Sequence, residues 1–202
     1  MKPKVYLAAA LAIVALGSFP FYARAQQISA DGKKSDEIIT KIHKIDMINQ
    51  LLPVLMTTSQ IKSLLVEIEK ARVAEKAQYK KEADLLRKVE GIADKAIKEA
   101  LEMRKVVPQD TMKEFAATTK AMTISRNAMA TEQIEKVSKK VEEVLDAGQR
   151  KAAANSLVTS LYFPGKKPEE VAESTRLRTW VKYVLMDEQS YEILISLSRR
   201  TD

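Results

Sequence analysis

From residue 36 onward, apolar side chains recur at steps of three and four, the period of a helix with one buried face. Ile38, Ile42, Ile45 and Leu52 mark a first helix over residues 36–52, ended or kinked by Pro53. The longest periodic segment begins at Thr57 and runs to about Met103, a length that would span roughly 70 Å as one helix. Val106 to Gln109 form a turn, with Asp110 as the expected N-cap of a third helix. That helix carries Met112, Phe115, Met122 and Met129, then Ile134, Val137, Val141 and Val144. Asp146 and Gly148 interrupt the pattern, and residues 149–161 resume it. The Pro/Gly-rich run at 163–168 reads as a loop. Two short helices are expected beyond it, over 169–185 and 187–198. No run alternates as a strand does, and no fixed repeat is present, so the fold class is all-α. A helix as long as the second cannot bury itself in a small globule; it is expected to pack on the 112–144 helix and on a partner chain.

The first 25 residues break this pattern. Lys2 and Lys4 precede an apolar run from Val5 to Leu16, Gly17 and Pro20 end it, and Ala23-Arg24-Ala25 offers a small-residue cleavage site. These are the features of a secretory signal peptide, and the run is short for a membrane span. An uncleaved anchor is the alternative. Residues 26–35 are polar, carry Gly32, and read as a flexible tether. The expected organisation is a leader at 1–25, a tether at 26–35, a helical domain at 36–161 and a C-terminal extension at 162–202, with export across the inner membrane to the periplasm.

Composition narrows the chemistry. The chain holds no Cys, one His and five Gly among 202 residues. Disulfides, Cys–zinc clusters and thiol nucleophiles are excluded, and His-based catalytic pairs nearly so. His43 has no second ligand near it in sequence and reads as a satisfied or exposed histidine. There is no Gly-rich phosphate loop and no G-x-S-x-G, and adjacent carboxylates such as Glu142-Glu143 point apart on a helix. A non-enzymatic protein without cofactor or metal is expected. Losing Lys2, Lys4 and Arg24 with the leader takes three cations from a formal charge of +7, leaving +4. The remaining charges alternate in sign along helix surfaces without interleaved aromatics, which argues against nucleic acid as a partner.

Two of the helix breaks share one pattern: Met56-Thr57-Thr58-Ser59-Gln60 and Leu145-Asp146-Ala147-Gly148-Gln149. Each is a capping box, in which Thr57 or Asp146 accepts from the N3 backbone N–H and Gln60 or Gln149 reaches back to the cap. Met56 or Leu145 can supply the hydrophobic staple, against Leu64 or the alanines near Ala153. In a Cys-free, Lys/Glu-rich helical chain, these boxes and their continuations to Leu65 and Asn155 resemble the LTxxQ-motif family of periplasmic proteins (Spy/CpxP-like). Thr57, Gln60, Leu145 and Gln149 match its motif, while Met56 replaces Leu and Asp146 replaces Thr. Residues 162–202 have no counterpart in compact members, and no His-rich tail is present. The resemblance implies an antiparallel helical cradle, a homodimer, and ATP-independent binding of non-native or envelope proteins on a concave face, with a role in envelope stress.

The candidate client face is the stripe Met112, Phe115, Met122 and Met129, with Lys113, Lys120 and Arg126 to attract acidic segments. The alternative is a plain coiled-coil seam, since a Met stripe at helical spacing is more often core. If residues 162–202 fold back over it, they would act as an intramolecular cap. Two further readings stay open: a structural or regulatory helical module docking on one specific envelope partner, and weak membrane-surface contact through the C-terminal helices. Trp180, Tyr183 and Tyr191 beside Arg176, Arg178, Arg199 and Arg200 motivate the second.

Overall fold

The computed structural model describes residues 30–199. The chain divides into two units, 1–37 and 38–202. The expected leader and residues 26–29 lie outside the described residues. Among the described residues seven α-helices follow in order: α1 (Ala30–Leu51), α2 (Thr58–Met103), α3 (Gln109–Val144), α4 (Ala147–Ser156), α5 (Thr159–Tyr162), α6 (Glu173–Trp180) and α7 (Glu188–Ser198). Short 3-10 turns occupy Leu52–Val54 and Pro168–Glu170, and no strand occurs among the described residues. The chain is all-α.

Most boundaries follow from local chemistry. Thr57 caps the 46 residues of α2. Pro53, which has no backbone N–H to donate, ends α1 in a 3-10 turn. Two boundaries depart from expectation. Residues 30–35, read as tether, are helical: Lys33 and Lys34 favour helix, and Gly32 falls in the first turn, where backbone N–H groups lack intrahelical partners anyway. Asp110 does not cap α3. Pro108 holds that position with a φ of −57°, and Asp110 lies in the first turn 3.0 Å from Lys113 Nζ. There it complements the helix dipole instead.

In the 38–202 unit, α2 and α3 form an antiparallel hairpin. Its open end, where α2 begins and α3 ends, is packed into a base, and its looped end projects as an arm. The base core joins Leu64 and Ile68 of α2, Val137 and Val141 of α3, Met47 and Leu51 of α1, and Ala153 and Ala154 of α4. The C-terminal segment supplies the rest. Trp180, Val181, Val184, Leu185 and Leu194 are all fully buried, so the described part of the expected extension, residues 162–199, completes the core rather than extending it. The expected 169–185 helix is interrupted, because Val171 turns inward and its N–H bonds back to Pro168 O at 3.3 Å. From Val181 to Leu185 the chain widens into a π-helical turn. The expected 149–161 helix likewise breaks at Leu157, whose side chain is drawn into the core with extended backbone.

Candidate functional site

The two capping boxes form as paired structures. Thr57 Oγ1 accepts from Gln60 N–H at 3.2 Å, and Gln60 Oε1 accepts from Thr57 N–H at 2.9 Å. Asp146 Oδ1 accepts from Gln149 N–H at 2.8 Å, and Gln149 Oε1 accepts from Asp146 N–H at 3.1 Å. The glutamines then meet each other. Gln60 Nε2 donates to Gln149 Oε1 at 2.8 Å, and Gln149 Nε2 donates to Gln60 Oε1 at 3.0 Å. Each Nε2 has a second acceptor two residues before the opposite cap: Val144 O at 2.9 Å for Gln60, and Leu55 O at 3.1 Å for Gln149.

This arrangement has local two-fold character, and it uses both N–H donors and both oxygen lone pairs of each amide. It clamps the starts of α2 and α4 to the end of α3. Arg150 reinforces the junction by donating Nη1 to Leu145 O at 2.5 Å and to Glu142 O at 3.1 Å, satisfying carbonyls that the end of α3 leaves open. Leu55 is held in the left-handed region at φ 52° although 81% exposed. Its backbone conformation, which a leucine adopts only at a cost, belongs to the turn that presents its carbonyl to Gln149. The boxes were legible in sequence; the cross-pairing over 89 residues was not.

Along the arm the picture changes. No residue between Glu82 and Gln133 is buried. Phe115, Met122 and Met129 are half-buried on the α3 face turned towards α2, and Met112 is 43% exposed near the tip. The stripe is therefore the hairpin's own seam, left partly open because a two-helix layer cannot cover it. Helical geometry puts Lys113 and Lys120 on the opposite face of α3, and Lys113 is paired with Asp110. Arg126 is committed inward. Its Nε lies 2.7 and 2.8 Å from the Glu82 carboxylate oxygens, with Nη2 on the same group.

Glu82 was not singled out in the sequence. Its side chain is only 3% exposed. Gln78 Nε2 donates to it at 3.0 Å and to Ser125 Oγ at 2.9 Å. The hydrogen bonds from Arg126 hold the Glu82 carboxyl below the usual carboxylate range, and Gln78 adds to this against the opposing effect of burial. Beside this layer the Tyr79 hydroxyl donates to Glu75 at 2.9 Å. Burial first, then the Glu75 contact, pushes its pKa up to about 12. The available signal was the shortage of large apolar residues over 69–84, with Gln78 and Glu82 standing at seam positions between Ala71 and Leu85.

His43 Nε2 lies 3.0 Å from Asp187, the carboxylate that caps α7. Among the described residues no cluster of three His, Asp or Glu side chains is disposed to hold a metal, and no helix is long and apolar enough to cross a membrane. Trp180 is buried with its indole N–H donating to Gln50 O at 3.3 Å. Tyr191 lies under Arg72 and donates to Glu69 at 2.9 Å. Two of the three aromatic anchors of the membrane-contact reading, Trp180 and Tyr191, are thus engaged within the fold. A shallow, open, largely apolar groove of about 530 Å³ runs along α2, lined by Leu65, Val66, Glu69, Lys70 and Val73. Comparison with protein families, curated proteins and solved structures yields no match.

Proposed function

We propose that this chain is an exported, ATP-independent chaperone or envelope-stress protein that binds non-native proteins on the open helical surface of its arm. The observation that carries the reading is the contrast between a base whose hairpin seam is buried under a second helical layer and an arm in which no seam residue is buried. Contiguous exposed apolar surface marks interaction sites, and methionine side chains adapt to irregular partners. Export to the periplasm rests on the leader features of residues 1–25, and the homodimer on the resemblance carried by Thr57, Gln60, Leu145 and Gln149. The reading is non-enzymatic.

The test is aggregation of a reduced, unfolding client without nucleotide, with oligomeric state followed by light scattering. Suppression near one dimer per client is the expected outcome. Full aggregation at several-fold excess of well-folded protein would reject the proposal. A second reading, docking on one specific envelope partner, draws on the loop end of the hairpin, where Leu101 is 78% and Val106 93% exposed beside Arg104 and Lys105. It predicts one saturable partner and no generic client binding.

A further inference from the structure

In the base, the hairpin is covered by a second helical layer. Arg178 of α6 reaches Glu135 of α3 at 2.9 Å, while Tyr191 of α7 is held by Glu69 and stacked under Arg72 of α2. Beyond the Glu82–Arg126 pair this layer stops, but the surface it rests on continues. Leu65, Arg72, Tyr79, Leu86, Ala93 and Ala100 follow one another at seven-residue intervals along α2, so they share one margin of the seam. In the base that margin is occupied by α7. In the arm it is apolar and open: Leu86 is 48% exposed and the neighbouring Ile97 57%. The opposite margin carries Lys81, Lys88 and Lys95, again seven apart and all exposed.

We propose that the arm continues its missing second layer with an amphipathic α-helix from a client chain, seated on the Leu86–Ala93–Ile97 margin in the position α7 takes on the base. The inference rests on the binding reading above and names the form in which clients are held. Helix ridges at three- and four-residue spacing receive another helix. They present no free backbone N–H or C=O to an extended strand, whose own polar groups would face an apolar seam unpaired. The uncovered stretch from Leu85 to Met103 matches a helix of about 19 residues, roughly 28 Å.

The test uses the purified protein and a fluorescent 18-residue peptide of Leu, Ala, Glu and Lys with apolar residues at helical spacing, against the same peptide carrying two central prolines. The helical peptide is expected to bind, with the proline version at least tenfold weaker. Leu86→Asp and Ile97→Asp should each weaken binding about tenfold with circular dichroism unchanged, whereas Lys88→Glu should leave it within twofold. Equal binding of both peptides, no binding, or indifference to Leu86→Asp and Ile97→Asp would overturn the inference. So would dissociation of a dimer by these two variants together with failure of the peptide to compete, because a second copy of the chain would then be the occupant. Aggregation suppression that persists without helix preference overturns this inference alone; loss of suppression by the unaltered protein rejects the binding reading itself.

Discussion

The base and the arm are built from the same two helices and differ in what lies on top of them. Around Leu64, Ile68, Val137 and Val141 the hairpin is packed against α1, α4, α6 and α7, and these side chains are buried. Past Glu82 the same helices carry Leu85, Ile92, Phe115 and Met122 on the seam, none of them buried. Amphipathic periodicity is similar in both stretches, so periodicity alone does not separate a core from an interaction surface. Burial requires a second layer, and here that layer is drawn from the far end of the chain.

The largest expected difference comes from truncating one residue of each region. Trp180→Ala should cost about 3–5 kcal/mol, since it opens a cavity in a closed core and removes the bond to Gln50 O. Met122→Ala should cost less than about 1 kcal/mol, because a half-exposed side chain loses little burial. Urea denaturation of both variants checks this, and similar costs would mean the arm is covered in solution.

The boundary layer comes next. Arg126→Met leaves Glu82 without its cation and should cost about 2–3 kcal/mol, below the usual figure for breaking a buried pair because the loss of Arg126 also opens Glu82 to water. The pH dependence has a definite sign. The folded-state pKa of Glu82 is depressed, so its contribution is fully present above the unfolded value of about 4.3 and is lost as pH falls through the folded value. Stability of the unaltered protein should therefore drop more steeply below about pH 4 than that of Arg126→Met, as followed by denaturation at a series of pH values.

The glutamine clamp should show coupling. Gln60→Leu and Gln149→Leu should each cost about 1–3 kcal/mol by orphaning the partner amide and a cap N–H. The double variant should cost at least about 1 kcal/mol less than the sum, because the second change removes a group already stranded. Strict additivity in the double-mutant cycle would mean the amides do not pair in solution. The smallest effect is a gain confined to the arm. A Cβ at Gly91 meets nothing within 4 Å, so Gly91→Ala should stabilise α2 locally by about 0.5–1 kcal/mol. Hydrogen exchange across residues 85–101 should slow while the base is unchanged.

How much of this was legible in sequence varied with the range of the interactions. The limits of α2 were readable because Thr57, Gln60 and the turn before Pro108 act through bonds spanning a few residues. The capping boxes were readable for the same reason. The Met112–Met129 stripe was readable as an apolar face but not as seam or client surface, since that depends on whether anything covers it. Arg126 looked like a free cation because Glu82, its partner, stands 44 residues away. Residues 162–202 looked like an appendage because their apolar positions match those of α1, α2 and α3 only in three dimensions.

Local physical chemistry, acting within a turn or two of helix, was enough to decide that this chain is all-α, where α2 begins and ends, and which faces are apolar. Only the tertiary structure decided which of those faces became core. That choice turned on the return of α6 and α7 to one end of the hairpin, the pairing of Gln60 with Gln149, and the burial of Glu82 against Arg126. These are contacts between residues far apart in the chain, and the periodicity that makes a helix amphipathic carries no information about which partner its apolar face will meet.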